Sequence, residues 1–489
     1  MSPIDFSSKI SAQRPFGNAP LGLNSAQLQR AFESDRGRII NSAAIRRLQQ
    51  KTQVFPLEKN AAVRSRLTHS MEVQQVGRFI VQSIFAKLTV SEQQQYGLTG
   101  LERCIESLVE MSCLMHDIGN PAFGHFGEHA INQWFETHLL PLASTANRDT
   151  ETEHLFAKRP ELALDLQQFE GNAQAIRLIH SLLNLNLTFS QAAGILKYTR
   201  PGTLNKQAVT ADKNYLMKKV GYYFSETAYI EKLSAHLNIA PGCRYPLSYI
   251  MEAADDISYC LADIEDAVEK GILSTAQLSE LLTTTYKEVL FNKFNVQDQN
   301  ALDTMKGYID RAKSSQSYFI SLRVSLSHPM VQHATEQFIE NIEAIFQGSY
   351  NNALLEDKSR YHAITETLKQ IAIKYVFSHR EVEKLELQGY RIISGLLDFY
   401  KPLLALDSQT FSKVLANKKD APLIAKHLAK KLPEKHITTY QRALALLNTA
   451  QADYSTLEYY HRCRLIQDYI SGMTDHFAYD EYRSLMVID

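Results

Sequence analysis

Residues 111–128 read Met-Ser-Cys-Leu-Met-His-Asp-Ile-Gly-Asn-Pro-Ala-Phe-Gly-His-Phe-Gly-Glu, an apolar run that ends abruptly in polar and titratable side chains. The apolar start predicts a helix that carries His116 and Asp117 toward the protein interior, where an unpaired charge is costly. A metal cation bound to this pair would remove that cost. Gly119 and Pro121 predict the end of the helix, because glycine supplies a left-handed turn and proline cannot continue the hydrogen-bond ladder.

The loop after this helix supplies two further titratable groups, His125 and Glu128. If a new helix begins near Phe126, their spacing would place both groups over the same metal. One His-Asp pair is weak evidence for a metal, because a histidine near a helix C-terminus is often only a dipole-stabilised cation. The metal interpretation therefore depends on ligands from other parts of the chain.

Further candidate ligands lie on two other predicted helices. His69 opens a segment whose apolar residues recur at helical spacing. A helix predicted over residues 245–269 has a polar stripe of Asp255, Tyr259 and Asp263, each four residues apart and so facing one way. Two imidazoles and two carboxylates suit a six-coordinate Mn, Mg, Co or Fe ion with open positions, which favours phosphate ester hydrolysis. The four proposed ligands are His69, His116, Asp117 and Asp255.

The composition predicts a large, mostly helical globular protein. The chain has 489 residues, 45% apolar content and a net charge of −1, with only 20 glycines and 14 prolines. Long periodic segments of good helix formers predict an all-α fold with little strand. The five cysteines show no CxxC spacing, which favours buried free thiols in a reducing compartment over disulfides or structural zinc.

The sequence also argues against several protein classes. It has no apolar signal core and no apolar stretch near the roughly 20 residues that span a bilayer, so we expect a cytoplasmic protein without membrane contact. It has no GxGxxG and no HExxH, and the Gly-x4-Gly at 119–124 continues with His-Phe. Any bound phosphate must therefore be held by side chains. From charge alone, each candidate side chain would be only a surface residue. The candidates are Arg64, Arg66, Asn172, Lys197, Tyr198 and Lys219.

The chain divides into segments of different character. Residues 1–24 are polar and turn-rich and are predicted to form an arm rather than a core element. Residues 138–165 are predicted to be a surface insertion and residues 200–214 a second loop. Residues 169–174 open a helix, and the chain beyond residue 270 is helical without a metal-ligand cluster.

Several strings carry a resemblance to a known family. The order His69, His116-Asp117, Asp255 is similar to the HD-domain metal phosphohydrolases. More narrowly, the chain resembles the deoxyguanosinetriphosphate triphosphohydrolases almost end to end. The matching strings are residues 34–42, 46–55, 66–70, 115–128, 169–174, 252–259, 385–390 and 468–475.

The resemblance implies an all-α HD-domain helical core with additional helical elaboration. It divides the chain into residues 1–65, an N-terminal arm and helix that contribute to the active site; 66–270, the HD phosphohydrolase domain; and 271–489, a helical region for nucleobase contact and oligomerisation. It implies cleavage of dGTP to deoxyguanosine and intact triphosphate by attack at the α-phosphorus. The implied cofactor is Mn or Mg, with Co also possible.

The resemblance also assigns roles to individual residues. His69, His116, Asp117 and Asp255 match metal positions, and of Asp255 and Asp256 the first is the one that aligns. His125 matches the catalytic histidine and Glu128 its supporting carboxylate. Asn172, Lys197, Tyr198 and Lys219 match phosphate positions; Gln53, Tyr259 and Asp263 match sugar positions; and Glu386 matches a guanine position. In one departure, Asn120 stands where many relatives have histidine.

The implied partners are dGTP, further copies of the chain in a tetramer or hexamer, and single-stranded DNA as an effector. Six lysines between Lys418 and His436 could contact DNA phosphates or a neighbour's nucleotide; a solvated amphipathic helix is the alternative. Two other functions remain open. One is a broader HD phosphohydrolase acting on several dNTPs or a guanosine alarmone; the other is a nucleic-acid-binding scaffold whose HD site only senses nucleotide.

Overall fold

The computed structural model describes residues 3–17, 20, 22–147 and 154–487. Within these residues the chain is built almost entirely from α-helices, which confirms the all-α prediction. The helices are α1 (Ser25–Ile40), α2 (Ala43–Leu48), α3 (Arg66–Lys87), α4 (Val90–Gln95), α5 (Glu102–Met115), α6 (Gly124–Ala146), α7 (Pro160–Gln167), α8 (Gly171–Arg177), α9 (Phe189–Ala193), α10 (Thr227–His236), α11 (Pro246–Glu269), α12 (Thr275–Glu288), α13 (Gln299–Ser314), α14 (Tyr318–Glu340), α15 (Ile342–Gln347), α16 (Arg360–Ile371), α17 (Arg380–Leu404), α18 (Ser408–Leu415), α19 (Leu423–Ala429), α20 (Glu434–Ala445), α21 (Tyr454–Ser471) and α22 (Asp475–Met486).

Strand is confined, in the described ranges, to one short parallel pair. Strand β1 (Arg200–Pro201) pairs with β2 (Val220–Tyr222). Three π-helical segments, residues 178–182, 289–293 and 372–377, directly continue α8, α12 and α16. The expectation of little strand is therefore confirmed. No helix among the residues described is long and apolar enough to cross a membrane.

The first of two hydrophobic clusters is built around α3, α5 and α11. These helices approach closely because small side chains lie where they meet: a Cβ at Gly77 would lie 2.6 Å from the Cys113 sulfur and 3.5 Å from Ala254 Cβ. The predicted helix over 245–269 is confirmed as α11, whose apolar stripe faces this core. The second cluster gathers α6, α7, α17 and α21.

Two predictions about the surface are wrong. The described part of residues 1–24 is not a separate arm, because Phe6 is 1% exposed and packs in the first cluster, with its ring centroid 5.3 Å from that of Phe346. The insertion predicted at 138–165 includes residues 148–153, which lie outside the described residues. Its described remainder is not an exposed insertion throughout: Lys158 is exposed, but Phe156 and Asp165 are completely buried. Polar composition misled both predictions, because a few apolar anchors suffice to hold a polar segment in the core.

Other expectations hold. The described part of residues 200–214 beyond β1 consists of turns and short 3-10 segments, as a loop requires. All five cysteines are free, and four of them are buried, which confirms the prediction of unpaired core thiols. Residues 418–436 form α19 and the start of α20; Lys431 pairs with Glu481, and a DNA contact there stays a prediction.

A buried ionic network joins the region around α8 to α21. The Arg177 guanidinium donates to Asp468 through Nε at 2.8 Å and Nη2 at 2.7 Å, and its Nη1 donates to Glu226 at 2.9 Å. Gln174 also donates to Asp468, at 3.0 Å. Because these charges are almost fully buried, each depends on its partners for compensation.

We expect Asp468→Ala to lower the free energy of unfolding by about 3–5 kcal/mol, because removing one partner of a buried pair leaves the other poorly compensated. The matched control is Asp420→Ala, which breaks an exposed pair with Lys413 and should leave the free energy of unfolding close to the wild-type value, because solvent screens exposed pairs. Urea unfolding of the two variants measures both values. Equal losses would mean that the Arg177 network adds no stability beyond a surface pair.

Candidate active site

The loop between α5 and α6 carries the central residues of the site. Helix α5 ends at Met115 with His116 as its cap, and α6 begins at Gly124. A Cβ at Gly119 would lie 2.0 Å from the Gly171 carbonyl oxygen and 2.4 Å from the Ala175 nitrogen. Only glycine therefore lets this loop pack against the start of α8. The new helix predicted near Phe126 is confirmed and begins slightly earlier.

His69, His116 and Asp255 lie together although they come from three parts of the chain. One ligand atom from each lies within 4.8 Å of the others. The Asp255 Oδ1 atom is 3.3 Å from His69 Nε2 and 3.6 Å from His116 Nε2. Burial would raise the pKa of Asp255, but His116, His69 and Lys197 lower that pKa to about 2. The carboxylate is therefore ionised at neutral pH.

The donor set fits a divalent metal. His116 Nδ1 donates to the Cys113 carbonyl oxygen at 2.7 Å, which fixes the ring so that Nε2 is the nitrogen directed at Asp255. His69 is completely buried, and its Nε2 also faces Asp255. Two imidazole nitrogens and a carboxylate oxygen around one point match the mixed ligands that such ions accept.

Asp117 lies beside this cluster but is already engaged. Its Oδ2 accepts from Arg66 at 2.6 Å, and its Oδ1 accepts from the Asn120 amide at 2.7 Å. Oδ1 is also 3.5 Å from His116 Nε2. Burial raises the pKa of Asp117, yet His116 and Arg66 outweigh it and hold that pKa well below its usual range. A metal ligand role for Asp117 stays a prediction that requires sharing Oδ1 with Asn120.

A cavity of about 900 Å³ opens over this cluster, a volume typical of sites for small ligands. It brings together most of the residues predicted from the sequence. Those that line it are Gln53, His116, Asp117, His125, Asn172, Lys197, Tyr198, Lys219, Asp255, Tyr259, Asp263 and Glu386. His69 lies behind His116 rather than on the cavity surface.

Arg64 and Glu128 are not among the described residues that line the cavity. The Arg64 guanidinium is bound by Glu72 at 3.0 Å, Asp266 at 2.6 Å and Glu265. Arg66, the other arginine considered for phosphate contact, does line the cavity. Sequence spacing could not separate these two arginines, because the start of α3 at Arg66 decides which one faces inward.

One wall of the cavity is organised by Glu170. Its carboxylate accepts from the Asn172 backbone and amide nitrogens, both at 2.8 Å, and from Lys219 at 2.8 Å. Glu128 lies nearby, and burial followed by the charge of Glu170 raises the pKa of Glu128 to about 8. Burial, Lys219 and Arg66 lower the pKa of His125 below its ordinary value. The His125 imidazole is therefore neutral at neutral pH.

The opposite wall presents polar atoms without partners. The side-chain oxygen Oε1 of Gln53 and both carboxyl oxygens of Asp263 are buried and accept no hydrogen bond from any described residue. Burial raises the pKa of Asp263 to about 8. Because buried polar groups are normally paired, these atoms are suited to contact a bound ligand. Tyr259 lines the cavity on the same helix as Asp255 and Asp263.

Comparison with known proteins agrees with this geometry. Residues 424–484 match the phosphohydrolase-associated domain family. The deoxyguanosinetriphosphate triphosphohydrolase of Yersinia pseudotuberculosis is 50% identical over 511 aligned residues covering 100% of both chains. An Enterobacter protein of the same name is 49% identical with the same coverage, and a Pseudomonas aeruginosa protein named as a probable member is 50% identical over 99% of each chain. The chain belongs to the deoxyguanosinetriphosphate triphosphohydrolase family.

This member of the triphosphohydrolase family is thus an enzyme, and its cavity includes residues that the sequence did not single out. Lys369, Ile373 and Phe377 come from α16 and the π-helical segment after it. Glu170 lies within residues 169–174, one of the strings that resemble the family, but the resemblance assigned no role to Glu170. Nothing in the helical periodicity of residues 360–377 distinguishes a cavity wall from a core, so only the folded arrangement identifies these side chains.

The side chain of Asp475, in the last helix, forms hydrogen bonds with two loops beside the cavity. Asp475 Oδ2 accepts from the Thr52 backbone N–H at 3.0 Å and its hydroxyl at 2.6 Å, while Oδ1 accepts from the Phe123 N–H at 3.0 Å. Phe123 has a left-handed φ of 61°, a conformation that needs such support. Lys51 strengthens the junction by donating to the Asn120 and Ser471 carbonyls.

Asp475→Ala should reduce the enzyme's hydrolytic turnover by at least about tenfold, because the Thr52 and Phe123 N–H groups would each lose about 1–3 kcal/mol of support. Asp480→Ala, on the exposed side of the same helix, is the control and should behave like wild type. Steady-state kinetics with a thermal unfolding curve for each variant make the comparison. Identical turnover in the two variants would show that the Asp475 contacts do not position the loops.

Proposed function

We propose that this enzyme hydrolyses dGTP to deoxyguanosine and triphosphate, with a divalent metal, Mn or Mg, held by His69, His116, Asp117 and Asp255. The observation that carries the proposal is a metal-type cluster at one point of a cavity lined by cations and by acceptors without partners. The names of relatives that are about 50% identical over the full chain support dGTP as the substrate.

The protein side chains divide the work of catalysis between them. A metal ion bound to the cluster would polarise a phosphoryl oxygen and lower the pKa of a water molecule. Lys197, Tyr198, Lys219 and Asn172 hold the triphosphate, since they line one side of the cavity. Lys219 and Lys197 are already paired with Glu170 at 2.8 Å and Glu252 at 3.5 Å, which holds them in place before substrate arrives.

Proton transfer falls to His125. Its pKa is lowered by burial and by Lys219 and Arg66, so the neutral imidazole can accept a proton from the attacking water. The water oxygen forms a bond to the α-phosphorus as the bond from that phosphorus to O5′ breaks. The triphosphate keeps the water oxygen, and the deoxyguanosine O5′ takes up a proton, which His125 can return. Glu128 lies close to Glu170, and its protonation changes the charge around the His125 imidazole.

Recognition of the nucleoside uses the other walls. Glu386 is half-buried at the cavity edge, on α17. Its carboxylate can accept from both N1–H and the 2-amino group of guanine, whereas adenine offers no such pair of donors. Tyr259 faces the sugar, where a 2′-hydroxyl would meet its ring. Gln53 and Asp263 supply the unpaired acceptors that the 3′-hydroxyl can satisfy.

The proposal predicts the products directly. Incubation with dGTP and Mn or Mg should release deoxyguanosine and triphosphate in equal amounts, without dGDP or dGMP. Chromatographic separation of nucleoside, nucleotides and polyphosphates measures this. The other three dNTPs serve as controls and should react more slowly. Release of pyrophosphate with dGMP would contradict attack at the α-phosphorus with loss of O5′, and binding without any product would support a nucleotide sensor.

The two neighbouring aspartates provide a test of the metal ligands. Asp255→Ala should abolish hydrolysis and lower metal occupancy, because the imidazoles lose the carboxylate between them. Asp256→Ala should do much less, since Asp256 lines the cavity outside the cluster. Metal content by elemental analysis and kcat for each variant decide the matter. If Asp256→Ala were the more damaging, the ligand would be Asp256.

Glu386 should impose a pH dependence on guanine recognition. Burial and the neighbouring Glu383 raise the pKa of Glu386 to about 7. The ionised form accepts the guanine donors, so recognition is present above that pKa and is lost as the pH falls. Between pH 8 and 6, kcat/KM for dGTP should fall by up to about tenfold per unit below the pKa. Glu386→Gln should remove this step, and an unchanged profile would assign the titration to another group.

A further inference from the structure

Asn120 lies three residues after Asp117, in the loop that joins α5 to α6, and it lines the cavity. Its backbone N–H donates to the Asp117 carbonyl oxygen at 3.2 Å and closes a turn, while its side-chain Nδ2 donates to Asp117 Oδ1 at 2.7 Å. The turn needs no particular side chain at position 120, because the backbone makes its hydrogen bond. The Asn120 amide therefore has a role beyond the turn, and its partner is a candidate metal ligand.

The Asn120 amide limits how Asp117 can reach a metal. An ionised carboxylate only accepts hydrogen bonds, and each of its oxygens has two lone pairs. Arg66 donates to Asp117 Oδ2 at 2.6 Å, and the amide takes one lone pair of Oδ1. The same Oδ1 lies 3.5 Å from His116 Nε2, the nitrogen directed at the cluster. The amide therefore determines which lone pair of Oδ1 is left for the cluster.

The amide and the backbone of Asn120 are each held by other contacts. A Cβ at Gly171 would lie 2.1 Å from Asn120 Oδ1, so the amide oxygen packs against the first residue of α8. Because a carboxylate offers no hydrogen when ionised, the amide nitrogen is the atom that faces Asp117. Lys51, which is 3% exposed, donates from Nζ to the backbone carbonyl oxygens of Asn120 and Ser471. The contact between the amide and Asp117 therefore has little freedom to move.

We propose that Asn120 is a positioning residue for the metal site: its amide holds Asp117 Oδ1 toward His116 and so raises the affinity of the site for a divalent cation. This inference rests on the metal role of Asp117 in the proposed function. Without the amide, Arg66 would still hold Oδ2, but Oδ1 would be free to turn away from the cluster, and a cation would have to order it on binding. Hydrogen-bond partners of metal ligands typically change metal affinity by about 10–100-fold.

Metal binding in the absence of nucleotide tests this role. Equilibrium dialysis of the full chain against MnCl₂, followed by elemental analysis, gives the dissociation constant for Mn. Asn120→Ala should raise that constant at least about tenfold, and the Lys51 contact survives because it uses the backbone carbonyl. The matched control is Gln174→Ala, which removes another amide contact with a buried carboxylate, at 3.0 Å to Asp468, and should bind Mn as wild type does. Equal dissociation constants for the two variants would overturn the proposal.

A double variant shows whether the amide acts through Asp117. When Asp117→Ala is already present, adding Asn120→Ala should leave the dissociation constant for Mn unchanged, because the amide has lost its partner. A further tenfold loss would overturn action through Asp117. Asp255→Ala separates this inference from the proposed function. Wild-type Mn binding by Asp255→Ala would reject the whole metal cluster, whereas weakened binding there with unchanged binding by Asn120→Ala would reject the role of Asn120 alone.

Steady-state kinetics separates positioning of a metal ligand from contact with the substrate, since Asn120 itself lines the cavity. At limiting Mn, Asn120→Ala should turn over dGTP at least about tenfold more slowly than wild type. Excess Mn should restore kcat, with KM for dGTP unchanged, and Gln174→Ala should need no extra Mn. A raised KM for dGTP that excess Mn does not restore, together with wild-type Mn binding, would overturn the proposal and assign the Asn120 amide to the substrate.

Discussion

The contact of one Asp255 oxygen with two imidazole nitrogens, at 3.3 and 3.6 Å, is the constraint on which the active site depends. Its three residues come from α3, the end of α5 and α11, so the helices must approach closely. Gly77, Cys113 and Ala254 allow that approach next to the ligands. Because buried ionisable groups are stable only with compensation, the close packing and the charge balance of the cluster form a single requirement.

The same requirement explains the arrangement of the phosphate side. Without a negative partner, Lys219 and Lys197 would repel each other and their burial would be unfavourable. Glu170 pairs with Lys219 and Glu252 pairs with Lys197. Arg244 pairs with Glu252 in turn, at 2.5 Å. The cations are therefore held by acidic side chains, which the triphosphate of the proposed substrate would partly replace. Preorganised charge of this kind lowers the reorganisation needed when the ligand enters.

Helical periodicity predicts α3, α5 and α11, and the resemblance to the family supplies most of the residues predicted for the site, the majority of which line the cavity. They failed where the answer depends on packing between distant segments. Phe6 is in the core although its surroundings are polar. Arg64 and Arg66 differ in direction because α3 starts at Arg66. The wall formed by Ile373 and Phe377 depends on a π-helical segment, for which the sequence pattern gives no distinct signal.

The proposed boundary at residue 270 marks the end of the ligand-bearing helices, but the cavity continues beyond it. Glu386 and Phe377 line the cavity, and Asp475 accepts from the backbone N–H groups of both Thr52 and Phe123. The Arg177–Asp468 network then joins α21 to the helix that follows Glu170. A fragment ending at residue 270 would retain the imidazoles and carboxylates of the cluster, yet it would lack the contacts that set the shape of the loops around them. The C-terminal half thus supplies part of the cavity wall and of its backbone support, so a change in α17 or α22 can alter the cavity without altering a single proposed metal ligand.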